Sequence, residues 1–179
     1  MKMNFKKILI TGLFVCLTAT VFADEPKCKN AIGMYFMGAD DSFGGIQYER
    51  RFTNIISEKA GIYASYENST GTCDISVTGE TDFTLYETSW KEFVNSRLFA
   101  YALIGYHGYI NSEYHYVEGG ESYRENTGYL QDGMLGLGFG FDFTFFGHLS
   151  LPIEFGFVGN FPNNPHVGFC AGAGIRYCW

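Results

Sequence analysis

The last thirteen residues of the chain alternate in side-chain character at every step. From Val167 to Trp179 every second residue is apolar or aromatic, and the residues between them are small or polar. A two-residue period is typical of a β-strand whose two faces meet different surroundings. An aromatic residue at the end of such a strand favours an apolar face in contact with lipid. This segment therefore predicts a membrane-facing strand.

Two earlier segments show the same alternation with larger side chains. Leucine and phenylalanine occupy every second position in Leu135–Phe143 and, with one isoleucine, in Leu149–Phe157, and mostly glycine and isolated polar residues lie between them. A soluble β-sandwich also alternates, so the period alone leaves both architectures open. The small, sparsely charged face fits the interior of a narrow barrel, whereas the large apolar face fits lipid. The residue sizes therefore favour a membrane barrel.

Eight strands are predicted, and the links between them differ in length. The links after the second, fourth and sixth strands are short, whereas those after the third and fifth are longer and acidic, covering Glu67–Thr72 (or as far as Gly79) and Asn111–Asn126. Short periplasmic turns alternating with longer external loops are typical of outer-membrane barrels. The pattern predicts an all-β, eight-stranded, antiparallel up-and-down transmembrane β-barrel with both termini in the periplasm. The predicted strands are Ala31–Met37, Phe43–Phe52, Glu58–Tyr66, Thr81–Phe93, Arg97–Ile110, Thr127–Phe145, Leu149–Gly159 and Val167–Trp179.

The N-terminus has the pattern of a secretory signal peptide. Three lysines precede an apolar stretch, Ile8–Phe22, which is too short to span a membrane as a helix, and Ala23 suits the cleavage position. We therefore predict a signal peptide over residues 1–23 and one barrel domain over residues 24–179. Lipidation at Cys16 is an alternative, but the bulky residues before it make a poor lipoprotein signal.

Charge excludes one class of partner. The first 23 residues hold three of the 12 Lys and Arg and none of the 19 Asp and Glu, so the remaining chain has a formal charge of −10. Binding to phosphate backbones needs a basic surface. We therefore predict no nucleic-acid partner.

Polar residues in the predicted strands fall on the small face. An arginine on the lipid face at mid-membrane costs on the order of 2–4 kcal/mol, so these side chains are expected inside the barrel. Both charge signs occur, which predicts an internal ion-pair network. Eight strands leave an interior that side chains fill, and we therefore predict no wide aqueous pore. The predicted interior set is Gln47, Glu49, Arg51, Asp142, Glu154 and Arg176.

Four cysteines follow the predicted signal peptide. Cys170 and Cys178 lie eight residues apart, or roughly 26 Å at strand rise, which is too far for a disulfide. Barrel closure brings Cys28 beside Cys178 at the periplasmic end, and Cys73 can approach Cys170 at the outer end. These two pairs are the candidate disulfides, and free thiols on the small face are the alternative.

One residue set resembles a catalytic site. His148, Ser150 and Glu154 have the residue types of an outer-membrane lipid A deacylase, but His148 lies at a predicted periplasmic turn and Glu154 is expected inside the barrel. Deacylation of an outer-leaflet lipid needs these groups at the outer, lipid-facing surface. We therefore predict no enzyme activity, and the scattered histidines and cysteines predict neither a metal nor a cofactor.

The whole pattern resembles the small eight-stranded outer-membrane β-barrels of the OmpA/OmpX-like superfamily. The ending Gly174-x-x-Tyr177-x-Trp179 matches the C-terminal signal that the barrel-assembly machinery recognises in such proteins. The resemblance implies the outer membrane of a Gram-negative-type bacterium, with outer-membrane lipid and the assembly machinery as partners, and no peptidoglycan-binding domain. It implies a structural or surface-interaction role through external loops with an unidentified ligand. The alternative is a binder or narrow conduit for small hydrophobic molecules.

Overall fold

Eight antiparallel strands form a closed barrel. The computed structural model describes residues 28–38, 42–67, 72–91, 93–115, 123–163 and 165–179. Each strand pairs with the next, and β8 pairs with β1, so the predicted fold class is confirmed. The predicted signal peptide lies outside the described residues. The strands are β1 (Asn30–Gly38), β2 (Ser42–Arg51), β3 (Ile56–Glu67), β4 (Thr72–Trp90), β5 (Val94–His115), β6 (Tyr123–Phe145), β7 (Leu149–Phe161) and β8 (His166–Cys178).

Side chains are sorted between the two faces of the barrel by chemistry. Outward positions carry large apolar residues such as Ile62 and Leu137, which are 64% and 68% exposed. Inward positions carry glycine, aromatic rings and charges, and Arg176 is only 1% exposed. A soluble protein buries its apolar side chains and exposes its charges. The reverse arrangement here is that of a barrel surrounded by lipid.

The strand β4 begins earlier than predicted. The structure starts it at Thr72, whereas the sequence pattern started it at Thr81. The intervening residues pair with β3, and from Ile75 onward they also pair with β5. Ser76 and Thr78 are buried in the interior, while Val77 between them faces outward. These small polar residues resemble a loop in sequence because the interior of this barrel is itself polar.

The longest external connection is also shorter than predicted. The ladder between β5 and β6 continues to the pair His115 and Tyr123, with an irregularity at Asn111. Most of the predicted loop Asn111–Asn126 is therefore a paired hairpin, and residues 116–122 lie outside the described part. The sequence predicted short inner turns and long outer loops. In the structure, most of this difference in length comes from strands that continue into the segments predicted as outer loops.

The pairing of β1 with β8 closes the barrel, and we call it the seam. At its inner end the seam is stabilised by hydrogen bonds between the first and the last described residues. The Lys29 and Asn30 N–H groups donate hydrogen bonds to the Trp179 carbonyl at 3.2 and 2.9 Å, and the Trp179 N–H donates to the Asn30 carbonyl. Next to these bonds Cys28 and Cys178 form a disulfide with a Cα–Cα distance of 5.7 Å. The predicted Cys28–Cys178 pair is confirmed.

Candidate functional site

Charged side chains from seven strands meet in the inner half of the barrel. We call this set the central ionic cluster. It contains three cations and five carboxylates, none more than 6% exposed. Such burial is tolerated only when the charges are paired and hydrogen-bonded. The members are Glu49 on β2, Lys59 on β3, Glu80 and Asp82 on β4, Arg97 on β5, Asp142 on β6, Glu154 on β7 and Arg176 on β8.

Arg176 connects four strands through its guanidinium group. Its Nη2 lies 2.7 Å from Glu49 Oε2 and 2.9 Å from Asp142 Oδ2. Its Nη1 donates to Gln47 Oε1 at 2.9 Å, and its Nε lies 3.3 Å from Ser150 Oγ. A planar guanidinium with fixed donor directions suits several acceptors in one plane, which is why arginine fits this position.

Arg97 binds the same acidic residues from the opposite wall. Its Nη2 lies 2.7 Å from Glu49 Oε1, 3.3 Å from Asp82 Oδ2 and 3.5 Å from Asp142 Oδ2. Its Nη1 donates to Ser57 Oγ at 2.9 Å. Glu49 and Asp142 are therefore shared between Arg97 and Arg176, and the two cations are joined through common anions.

Lys59 forms the outer part of the cluster. Its ammonium lies 2.6 Å from Glu80, 3.0 Å from Asp82 and 2.5 Å from Glu154. The second oxygen of Glu154 accepts a hydrogen bond from the Tyr35 hydroxyl. The lysine therefore neutralises carboxylates from β4 and β7, on opposite sides of the barrel.

One aromatic ring contacts the two cations of β3 and β5. Phe99 is fully buried, and Lys59 Nζ and Arg97 Cζ lie 4.2 and 4.6 Å from its centroid. A cation over an aromatic face gains electrostatic attraction, and the gain is larger when water is excluded. Phe99 therefore stabilises two charges that would otherwise repel each other.

The outer half of the interior is filled by apolar and tyrosine side chains. The tyrosine rings lie over glycines of neighbouring strands: a Cβ at Gly172 would be 2.2 Å from Tyr35 Oη, and one at Gly138 would be 2.6 Å from Tyr101 Cζ. A cavity of about 10 Å³ remains between the tyrosines and the cluster, roughly the space for one water. The packed apolar residues are Met37, Phe43, Leu103, Met134, Val158 and Cys170.

All six predicted interior residues lie inside the barrel, but the set was incomplete. Arg51 lies nearer the inner end, where its Nη2 is 2.7 Å from Glu87, and Gln47 only flanks the cluster. When the two-residue period is applied from the observed start of β4, Thr78 and Asp82 both fall on the inward face. The same period on β5 places Arg97 inside. The cluster members that sequence reasoning missed are Lys59, Glu80, Asp82 and Arg97.

The predicted Cys73–Cys170 disulfide is wrong. Both thiols are free: Cys73 is exposed at the outer end of β4, whereas Cys170 is buried on β8 beside Tyr101. The strands β4 and β8 lie on opposite sides of an eight-stranded barrel, and the two side chains point to different faces. Cys28 and Cys178 can form a disulfide because they lie at the same end of the barrel, where β1 and β8 are neighbours.

The three residues that resemble a deacylase set do not come together. His148 is exposed in the inner turn, with Nδ1 3.1 Å from the Cys178 carbonyl oxygen. Ser150 donates to Asp142, and Glu154 pairs with Lys59 in the interior. Within the described ranges no group of three or more His, Cys, Asp and Glu residues could hold a metal ion. Among the same residues no helix is long and apolar enough to cross a membrane.

The C-terminal motif divides between the two faces of β8. The backbone of Gly174 lies against Tyr35, where an added Cβ would be 2.8 Å from the Tyr35 ring. Tyr177 and Trp179 face outward with stacked rings 6.0 Å apart. Aromatic rings at this depth suit the membrane interface. Recognition of Gly174, Tyr177 and Trp179 by the barrel-assembly machinery stays a prediction.

Three solved β-barrel structures are similar to this chain. The N-terminal β-barrel domain of Pseudomonas aeruginosa OprF aligns with 84% of this chain and 96% of its own, at 11% identity and a TM-score of 0.51. Neisserial surface protein A aligns with 84% of this chain and 94% of its own, at 12% identity and a TM-score of 0.48. Ail, the attachment invasion locus protein of Yersinia pestis, covers 84% and 96% at 14% identity and a TM-score of 0.42.

No family model matches the chain, and no curated protein sequence matches it. At such low identities the structural likeness concerns the fold alone. The chain has the fold of an outer-membrane β-barrel, and its outward apolar face suits the lipid of that membrane.

Proposed function

We propose that this chain is an integral outer-membrane protein that uses a sealed barrel as a platform for surface interactions. The observation that carries the proposal is the packed interior. Charges fill the inner half, apolar side chains fill the outer half, and the cavity between them is about 10 Å³. Among the described residues this packing leaves room for neither a conduit nor an internal ligand. Function in a filled barrel is then expected at the ends of the strands.

The outer end has a strongly acidic composition. Its connections and the adjoining strand ends contain eight carboxylates and one arginine, Arg124. Clustered charge of one sign attracts partners of the opposite sign and raises their association rate. The chemistry at this end therefore favours a basic protein or peptide segment as the partner. The acidic residues are Asp40, Asp41, Glu67, Asp74, Glu113, Glu118, Glu121 and Glu125.

A buried aspartate fixes the last outer connection to the barrel. Asp132 accepts a hydrogen bond from the Asn163 N–H at 2.7 Å and one from the Tyr109 hydroxyl at 3.1 Å. Asp132 lies on β6, Tyr109 on β5 and Asn163 beyond β7. These bonds hold the β7–β8 connection against its neighbours. A connection held in place in this way lowers the ordering cost of binding a partner there.

A charge-neutralising variant tests the proposal. Replacing Glu113, Glu118, Glu121 and Glu125 by glutamine is expected to weaken binding of a lysine-rich peptide by about tenfold at low salt, because an ion pair at a protein surface contributes a few tenths of a kcal/mol. Affinity is measured by fluorescence anisotropy on the detergent-solubilised barrel over a salt titration. The wild-type affinity is expected to fall as salt rises.

The matched control is Glu58→Gln, which removes one carboxylate from the exposed face near the inner end. It is expected to leave the peptide affinity unchanged. Peptide binding that is independent of salt, or equally strong in the fourfold variant, contradicts the proposal.

A further inference from the structure

We propose that the outward face of β5–β8 binds one acyl chain of an outer-leaflet lipid in a groove near the outer end of the barrel. The groove has a volume of about 920 Å³, which is within the range of about 300–1,000 Å³ for small-molecule pockets. It opens toward lipid, and its lining is almost entirely apolar. The outward residues that line it are Ala102, Leu135, Leu137, Phe157, Gly159 and Phe161, with Val167 at its edge.

The groove exists because two outward positions carry almost no side chain. Along one row of neighbouring strands Ala102 pairs with Leu137, and Leu137 pairs with Phe157. In the next row toward the outer end Leu135 pairs with Gly159. Ala102 and Gly159 therefore form the floor between larger neighbours. Nearer the inner end the outward positions of β6 and β7 hold only leucine, isoleucine or phenylalanine.

The depth of the groove suits a fatty acyl chain. Tyr106 and Tyr129 lie on the outward face closer to the outer end, with their hydroxyl oxygens 3.0 Å apart. Tyrosines with an apolar body and a polar tip mark the boundary between headgroups and hydrocarbon. Ala102 lies four residues below Tyr106, or roughly 13 Å along the strand. The floor of the groove at Ala102 therefore lies in the hydrocarbon layer beneath this boundary.

The shape and chemistry of the groove select a lipid over other occupants. The groove is continuous with the lipid-facing surface, so a membrane lipid enters it without crossing water. A chain on a flat wall is contacted from one side only, whereas a chain between Leu137 and Phe161 gains dispersion contacts on its flanks as well. The paired tyrosine hydroxyls can donate to phosphate or sugar oxygens of the headgroup. A lipid bound here is expected to exchange more slowly than its neighbours.

Filling the floor of the groove tests the inference. The barrel is purified in detergent, a diacyl phosphatidylethanolamine is added, and native mass spectrometry measures the fraction that retains one lipid. Ala102→Phe is expected to lower that fraction about fivefold, which corresponds to a loss of about 1 kcal/mol in binding free energy. The matched control Ala100→Phe adds the same ring one outward position nearer the inner end, outside the groove lining. It is expected to match the wild type.

Heat-dependent gel mobility verifies that each variant is folded. If Ala102→Phe does not fold, Gly159→Leu fills the floor from the other side, where an added Cβ meets only the Val167 methyl group at 3.3 Å and backbone oxygens beyond it. Selective loss of the lipid in a floor variant supports the site. Three results overturn it: no lipid retained by the wild type, equal retention in a folded floor variant, or equal loss in Ala100→Phe.

Discussion

Replacing Arg176 by methionine is expected to lower the free energy of unfolding by about 3–5 kcal/mol, the usual cost of removing one partner from a buried ion pair. The guanidinium is 1% exposed and binds Glu49 and Asp142 at 2.7 and 2.9 Å. Methionine fills a similar space but leaves both carboxylates with one cation fewer. The loss is measured by urea unfolding in lipid vesicles, followed by tryptophan fluorescence.

The control for this experiment is Arg50→Met. Arg50 is exposed at the inner end of β2, with Cζ 5.6 Å from the centroid of Phe52. Surface substitutions usually change stability by about 0.5 kcal/mol or less. A triple variant that also carries Glu49→Gln and Asp142→Asn is expected to recover part of the loss, because the stranded charges are then removed. Equal stability of Arg176→Met and Arg50→Met contradicts a stabilising role for the central ionic cluster.

Removing the seam disulfide is the second large effect. The bond between Cys28 and Cys178 joins residues 150 positions apart. In the chain-entropy model a cross-link over such a loop stabilises a protein by about 5 kcal/mol, with measured values ranging from about 0 to 5 kcal/mol. The Cys28→Ser/Cys178→Ser double variant is therefore expected to unfold at a clearly lower urea concentration. The backbone bonds between Asn30 and Trp179 should still close the seam, so the variant is expected to remain a barrel.

A reductant separates the disulfide from the two serine substitutions. Reducing the wild type is expected to move its unfolding midpoint to that of the double variant, and reductant should not affect the double variant. Cys73→Ser is the matched control, since Cys73 is exposed and free, and it should unfold like the wild type. A wild-type midpoint that does not respond to reductant contradicts a stabilising seam disulfide.

Strands and their two faces could be predicted from the sequence wherever large and small residues alternate without interruption. In β6, β7 and β8 glycine or a polar residue separates nearly every pair of apolar residues, and the predicted inward and outward faces agree with the structure. The half of β4 before Thr81 was not recognised because its inward residues are serine and threonine, which are equally common in loops. The outer part of the β5–β6 hairpin was predicted as a loop for a similar reason, because strands that extend beyond the membrane no longer carry an apolar face.

The interior cluster was only partly predictable, because pairing depends on which strands lie opposite one another. The sequence alternation indicates that Glu154 and Arg176 point inward, but it does not indicate that Lys59 reaches Glu154 across the barrel at 2.5 Å. The disulfides show the same limit. Cys28 lies just before β1 and Cys178 at the end of β8, the two strands that closure must join, whereas pairing Cys73 with Cys170 needed contact between opposite walls.

Labelling intact cells with a membrane-impermeant maleimide tests most directly whether this barrel lies in the outer membrane with its β4 end outside. Cys73 is the one exposed thiol among the described residues; it lies at the outer end of β4, while Cys170 is buried and the other two cysteines are joined. An outer-membrane barrel in this orientation is expected to be labelled at Cys73 on unbroken cells, and Cys73→Ser should abolish the labelling. Labelling of Cys73 only after the outer membrane is broken would contradict this orientation. Recovery of the protein in the soluble periplasm would contradict the outer-membrane location.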